Sequence, residues 1–160
     1  MSQIFKRRAI REKVLQYLFA YEMNPTNDEF MKNEILSEIP EDTDKIFARS
    51  LINQVLANKS QLDEIIKSKV DNWDISRIAL IDRILLRIGV CEITYFPDIP
   101  PKVSINECIE IAKLYSTASS GKFINGILDA ILDDLKKNQK LNKQGRGLLE
   151  ESLPKPEKKK

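Results

Sequence analysis

The stretch SRIALIDRILLRIGVCEITYF, at positions 76–96, is apolar on nearly every face that a helix would present. Its apolar residues recur at helical spacing in two adjacent stripes, which are Ile78, Ile81, Leu85 and Ile88 in one, and Leu80, Ile84 and Cys91 in the other. A helix without a wide polar face must be covered by protein on most of its sides. We therefore predict a helix at positions 76–96 in the middle of the fold.

Capping and proline signals predict the ends of this helix. Asp74 and Ser76 are residue types that cap helix N-termini, so the helix should begin just after them. Pro97 and the prolines that follow it disfavour helical geometry in the preceding residues, so the helix should end at Phe96. The run is interrupted by charged residues, which are Asp82, Arg83, Arg87 and Glu92. These charges, in a run already short for a bilayer, argue against a membrane-spanning segment.

Apolar residues recur at helical spacing along most of the remaining chain. The predicted helices cover positions 6–22, 27–37, 40–58, 60–70 and 104–115, and a last helix follows the polar loop 116–121. Positions 104–107 read SINE, which matches a capping box, so Glu107 is interpreted as a helix cap. No segment shows a convincing strand alternation. The sequence therefore predicts an all-α protein of about six to seven helices.

The formal net charge of +2 conceals an uneven distribution. Positions 1–13 hold five basic residues and one acid, and positions 136–160 hold nine basic residues and three acids. The body between them holds 12 basic and 20 acidic residues, so both ends are basic and the body is acidic. Such asymmetry favours a polyanion as partner of the ends and a basic protein as partner of the body, although charged surfaces also serve solubility alone.

The chain of 160 residues has about the length of one domain and enough apolar content for a core. Beyond about position 138 the apolar period is lost, and glycines, prolines and lysines dominate. We therefore predict a helical domain at 1–138 and a disordered basic tail at 139–160.

The two cysteines, Cys91 and Cys108, both occupy apolar helical positions, and no signal peptide precedes the basic start of the chain. Both features predict a protein of the reducing cytoplasm, without a disulfide. The sequence contains no histidine, no phosphate-binding glycine loop and no cysteine pair at metal-ligand spacing. We therefore expect neither an enzyme nor a metal or cofactor site.

Two groups of residues have the chemistry of an RNA-binding surface. The first group is the basic start of the chain, Lys6, Arg7, Arg8 and Arg11, and the second is Tyr115, Lys122 and Phe123 around the last loop. Cations bind phosphates, aromatic rings stack on unpaired bases, and a helix start near 120–122 would add backbone N–H donors. The alternative is that the arginines form a solvated face and the aromatic rings belong to the core. The sequence alone does not show whether the two groups converge.

Several segments resemble the NusB family of bacterial transcription antitermination factors. They are KRRAIREKVLQYLFAYE at 6–22, ILLRIGVCEI at 84–93, and IPPKVSINECIEIAKLYS with GKFINGILDAIL between 99 and 132. They follow the order of the family and cover most of the chain except the tail. The resemblance implies an all-helical fold of two small bundles, binding of the boxA element of ribosomal RNA leader transcripts, and a complex with the ribosomal protein NusE.

The resemblance also assigns roles to individual residues. The RNA contacts of the family fall on Arg7, Arg8 and Arg11, and around the last loop on Tyr115, Ser119, Lys122 and Phe123. Ser119 stands where some family members have an acidic residue. The NusE-facing positions fall on Phe19 and Asp82. As a polar residue on the apolar central helix, Asp82 is expected on its exposed strip, where it would attract a basic partner.

Two hypotheses of different kinds follow. The first is a non-catalytic adaptor that joins NusE on single-stranded boxA RNA and helps the elongating polymerase complex to resist termination. The second is a helical interaction module that forms homodimers and binds RNA weakly or not at all. An RNA methyltransferase with a NusB-like N-terminal region is disfavoured, because no residues remain for a cofactor-binding domain.

Overall fold

The computed structural model describes residues 3–25, 28–70 and 75–149, with side chains from Lys6 onward. Within these ranges the chain forms seven α-helices and no strand. The helices are α1 (Gln3–Met23), α2 (Asp28–Ser37), α3 (Asp42–Ala57), α4 (Lys59–Lys67), α5 (Leu80–Tyr95), α6 (Pro101–Tyr115) and α7 (Ala118–Lys137), with short 3-10 turns at Ile75–Arg77 and Gly145–Leu148. The all-α prediction is confirmed.

Helix α5 lies at the centre, as its apolar surface predicts. It contacts α1, α3, α4, α6 and α7, and every residue from 84 to 93 is buried. On one side α1, α2 and α3 contact one another, and on the other α7 contacts both α6 and α4. Helix α5 thus packs against both groups of helices, which agrees with the expected pair of small bundles.

Three charged residues of α5, Asp82, Arg87 and Glu92, are buried, and each has a partner. Arg87 is only 4% exposed, and its guanidinium donates to both carboxylate oxygens of Asp63 in α4, at 2.7 and 3.1 Å. It also donates to Glu22 at the end of α1, at 3.2 Å. Paired in this way, a buried charge ties neighbouring helices together at a tolerable desolvation cost. No helix in the described ranges has the length and apolar content needed to cross a membrane.

The predicted starts of α5 and α6 are wrong. Helix α5 begins at Leu80 rather than after Ser76, which lies in the preceding 3-10 turn, while Asp74 falls outside the described residues. Ile78, which follows this turn and precedes the helix, is buried, so an apolar period does not by itself locate the first helical residue. Helix α6 begins at Pro101, whose fixed φ suits the first helical position. The SINE segment therefore lies inside the helix and is not a capping box.

Residues 139–149 fold back onto the body, so the prediction of a disordered tail is wrong for this part. The N–H of Gln144 donates to the carbonyl of Pro97 at 3.0 Å. Lys143 Nζ donates to the carbonyls of Glu92 and Phe96, at 3.1 and 2.8 Å. These contacts need single polar groups and not an apolar stripe, which is why hydropathy misses them. Residues 150–160 lie outside the described part, and for them the disordered tail stays a prediction.

Candidate nucleic-acid interface

Lys6 and Arg7 lie on the first turns of α1, beside the start of α3. Lys6 pairs with Glu41 and, at 3.3 Å, with Asp44. Arg7 Nε lies 3.3 Å from Asp44 Oδ1, and its guanidinium lies over the Phe47 ring at 4.2 Å. The hydrogen bond with Glu41 raises the pKa of Lys6, whereas burial lowers the pKa of Arg7. Each side chain remains about one third exposed (31% and 32%), so both cations are accessible to a ligand.

Arg8 is held by a carboxylate of α6. Its Nε and Nη2 donate to the two carboxylate oxygens of Glu107, at 2.8 and 3.0 Å, in a bidentate pair. This hydrogen bonding raises the pKa of Arg8. Glu107 is 1% exposed and is not a helix cap, which corrects the interpretation of the SINE segment. An RNA phosphate would therefore have to compete with Glu107 for Arg8.

Arg11 is buried and paired within the core. It is 3% exposed, and its guanidinium donates to both carboxylate oxygens of Glu92 in α5, at 2.8 and 2.6 Å. Ser104 of α6 donates to the same carboxylate at 3.0 Å. Burial lowers the pKa of Arg11, but the charge and hydrogen bonds of Glu92 outweigh it, so the pKa is raised. Arg11 therefore does not lie on an accessible face of this structure, and its role in RNA binding stays a prediction.

The loop between α6 and α7 is shorter than predicted. It consists of Ser116 and Thr117, because α7 already begins at Ala118. Thr117 caps this helix, and its Oγ1 accepts a hydrogen bond from the N–H of Ser120 at 3.2 Å. The expected helix start at 120–122 is thus wrong, and one backbone donor that it would have offered to a phosphate is already bonded.

Asp82 anchors this loop from inside the protein. It is 7% exposed, and its Oδ2 accepts a hydrogen bond from Ser120 Oγ at 2.8 Å. The same hydroxyl lies 2.9 Å from Ser116 Oγ and 3.0 Å from Thr117 Oγ1. The expectation of an exposed Asp82 is therefore wrong, because a hydroxyl of α7 supplies a buried hydrogen-bond partner. Its role in binding NusE stays a prediction that rests on the resemblance alone.

The other predicted RNA contacts around the last loop differ in exposure. Tyr115 is 50% exposed, and Ser119 and Lys122 also face solvent. Ser119 Oγ lies 2.9 Å from Thr117 Oγ1, which orients the hydroxyl at the loop. Phe123 is half-buried and packs against the core, so the alternative interpretation as a core residue holds for part of its ring.

An open apolar groove runs between α1 and the end of α6. Its volume is about 440 Å³, and it is lined by Phe19 and Gln16 of α1, Ile81 of α5 and Tyr115 of α6, among others. Phe19 is half-buried there and packs against the core. The groove thus offers partly exposed apolar and aromatic surface of the kind that interaction sites use.

The two groups of candidate RNA contacts are linked through α6, although they do not meet at one point. Arg8 reaches Glu107 in the middle of α6, and Tyr115 ends the same helix. At ~1.5 Å per residue, these two positions are about 12 Å apart along α6. Tyr115 also lines the groove beside Glu12 and Gln16, which continue the α1 stripe of Arg8. An extended strand of two or three nucleotides could bridge this distance.

Sequence reasoning missed the acidic residues that hold the site together. Asp44, Glu92 and Glu107 each engage a different arginine of α1 and thereby decide which guanidinium can reach a ligand. One signal could have identified Glu107. Pro101, six residues before Glu107, favours an earlier start of α6, which would have placed Glu107 inside the helix.

Comparison with known proteins adds the family context. A sequence model of the NusB family matches residues 8–133. The transcription antitermination protein NusB of Chloroherpeton thalassium is 46% identical over 149 residues, which covers 92% of this chain and 71% of that protein.

Solved structures with the same fold are also found. The NusB structure from T. maritima superposes with a TM-score of 0.75 at 39% identity, covering 80% of this chain and 91% of that one. A NusB chain in a crystal structure with NusE and double-stranded RNA superposes with a TM-score of 0.73 at 24% identity, covering 84% and 99%. The second match concerns the fold alone.

Proposed function

The chain belongs to the NusB family, and from this premise we propose that it is a non-catalytic adaptor that binds boxA-type RNA together with ribosomal protein NusE. In this role it would join the transcription elongation complex and promote antitermination of ribosomal RNA operons. The related complex that contains NusB, NusE and RNA supports this proposal. The location that follows is the bacterial cytoplasm, where transcription takes place. Burial raises the pKa of the free cysteines Cys91 and Cys108, which makes both thiols unreactive.

The observation that carries the proposal is the presence of accessible cations and aromatic groups on α1 and around the α6–α7 loop, the two ends of the candidate interface. Lys6 and Arg7 lie at one end, and Tyr115, Ser119 and Lys122 lie at the other. Phosphates would contact the cations, and bases would stack on exposed parts of the aromatic rings. Arg11 acts differently, because it fixes α1 against α5 and so positions the accessible residues.

Titration experiments test the adaptor directly. We expect the full chain to bind a labelled boxA RNA more tightly than a scrambled RNA of equal length and composition, and NusE to increase that preference. Sedimentation should give one complex with one copy of each component. Equal affinity for both RNAs with and without NusE, together with a stable homodimer that neither ligand alters, would refute the adaptor and favour the self-associating module.

Phe123 allows a test of base stacking that separates it from packing. Phe123→Leu keeps an apolar side chain of similar volume, so unfolding free energy should change by less than about 1.5 kcal/mol. RNA affinity should fall about 5-fold with an unchanged salt dependence, because a stacked base is worth ~1–3 kcal/mol and carries no charge. The measurements are fluorescence anisotropy at several salt concentrations and urea unfolding. A normal RNA affinity would restrict Phe123 to its core role.

Phe19 allows a separate test of the groove. Phe19→Ala removes half-buried apolar surface there, so NusE affinity should fall about 5-fold, or ~1 kcal/mol, as for an interface residue of moderate importance. RNA affinity in the absence of NusE should stay within about 2-fold of the affinity of the unaltered chain. Calorimetric titration with NusE measures the first quantity. Phe30→Ala, at an exposed phenylalanine of α2 outside the groove, is the matched control. Equal effects of the two variants would remove the groove from the interface, and loss of a homodimer instead would assign it to a second copy.

A further inference from the structure

The segment 139–149, called the tail strap below, is seated by specific contacts. Lys143 donates to two carbonyls at the C-terminal end of α5, and the N–H of Gln144 donates to Pro97. Both carbonyls also accept a backbone N–H, from Phe96 and Ile99, so the lysine adds a second donor to each and complements the negative end of the helix dipole. The strap therefore closes the C-terminal end of the central helix.

Gly147 makes the seat of the strap sensitive to side-chain size. It is buried, and a Cβ added there would lie 1.8 Å from the carbonyl oxygen of Pro97. Such a distance is far inside van der Waals contact with a backbone atom, so the strap can lie here only with glycine at this position. Gly145, with φ of +54°, supplies the left-handed turn that leads into it.

The seated strap places Arg146 at a cavity next to the start of α1. This cavity has a volume of about 520 Å³, and Arg7, Arg146 and Asp98 are its accessible charged residues. Arg146 is exposed and forms no ion pair with any residue of the described ranges. Burial lowers the pKa of Arg7, and the positive charge of Arg146 lowers it further. The two guanidinium groups are therefore close enough to interact electrostatically.

The rest of the cavity wall is mainly apolar and aromatic. It includes Ile46, Phe47, Tyr95, Ile99, Val103 and Leu149. Ile46 is 64% exposed, and Tyr95 is 37% exposed. A cavity of this size and composition suits one flat heterocyclic group, with charged groups at its rim.

We propose that the tail strap completes an RNA subsite, in which Arg7 and Arg146 hold one phosphate and the cavity beside them receives the adjoining base. The subsite rests on the proposed RNA-binding function and extends it beyond the two groups of residues identified above. It adds a cation from the far end of the chain to the start of α1.

Two of the three acidic residues near the cavity are already paired. Glu107 is occupied by the bidentate pair with Arg8, and Asp44 is shared by Lys6 and Arg7. Asp98 is close enough to Lys143 to raise its pKa, although burial has the larger effect and lowers that pKa to about 8. Arg146 thus remains the cation of the cavity that a phosphate can bind without breaking an ion pair of the described residues.

The first test is Arg146→Ala in the full chain, with RNA affinity measured against salt concentration for boxA RNA. Loss of one phosphate contact should reduce the log-log salt slope by ~0.7 and weaken binding about 4-fold near ~0.15 M salt. Lys140→Ala is the matched control, since it removes the same charge from an exposed position of the same segment outside the cavity. The control should change affinity by less than about 2-fold. Equal losses in both variants would overturn the proposal and reduce the strap to nonspecific charge.

The second test is Gly147→Ala, which displaces the strap and leaves all charges in place. Hydrogen exchange at the N–H of Gln144 should become faster, and RNA affinity should fall by about the same ~4-fold as in Arg146→Ala. Combining both substitutions should produce no further loss, because each removes the same contact. Additive losses, or faster exchange with normal RNA affinity, would contradict the subsite. If the unaltered chain fails to bind boxA RNA, the proposed function fails, whereas normal binding by both variants overturns the subsite alone.

Discussion

Arg11→Met is expected to lower the free energy of unfolding by about 3–5 kcal/mol, the largest effect of any single polar substitution considered for this protein. The substitution leaves the carboxylate of Glu92, which is 0% exposed, without its cationic partner. Ser104 alone would remain as a side-chain donor to it. A buried charge without a partner costs several kcal/mol, and methionine retains most of the packing volume of arginine. Urea unfolding followed by circular dichroism measures the loss.

Two further variants serve as controls for the expected loss of stability. Arg11→Met combined with Glu92→Met removes both charges and should recover most of the lost stability, because apolar residues can replace a buried pair at little cost. Arg49→Met, at an exposed position of α3, should change stability by less than ~0.5 kcal/mol. If Arg11→Met matched Arg49→Met in stability and instead abolished RNA binding, Arg11 would be a phosphate ligand and the core role would be wrong.

The largest expected effect on RNA binding comes from Arg7→Ala combined with Lys122→Ala. These cations lie at opposite ends of the candidate interface, and both are accessible. Losing two phosphate contacts should reduce the log-log salt slope by ~1.4 and weaken binding about 15-fold near ~0.15 M salt. Affinity measured by anisotropy at four or more salt concentrations gives both quantities.

Lys136→Ala combined with Lys137→Ala is the matched control for net charge. Both lysines are exposed in the last turn of α7, and Lys137 is about 22 Å along the helix from Lys122, at ~1.5 Å per residue. This control should keep the original slope and affinity within about 2-fold. The same slope change in both double variants would mean that RNA binds through general charge and not through the candidate interface.

Some features of the fold could be read from the sequence because they depend on local pattern. The apolar run at 76–96 identified the central helix, and helical spacing elsewhere identified the other six. Local pattern failed at helix starts. Ile78 is buried outside the helix that its spacing suggested, and Glu107 lies inside a helix that its sequence motif seemed to begin.

The candidate site was predictable only as a collection of residue types. Arg7, Arg8 and Arg11 are close neighbours in the sequence, yet one lies over Phe47, one is paired with Glu107, and one is buried on Glu92. The partners of the last two are 99 and 81 positions away along the chain. No local rule connects such positions, so exposure of an arginine could not be deduced from its neighbours.

The sequence by itself determined the all-α class, the central helix and the family, because hydrophobic periodicity and extended motifs are properties of contiguous residues. The tertiary structure alone decided which cations face solvent, that Asp82 holds a loop from inside, and that residues 139–149 lie against the body. Each of these outcomes depends on carboxylates or backbone carbonyls contributed by distant parts of the chain. Such a partner decides the outcome, because burying a polar group without a hydrogen-bond partner is costly in free energy.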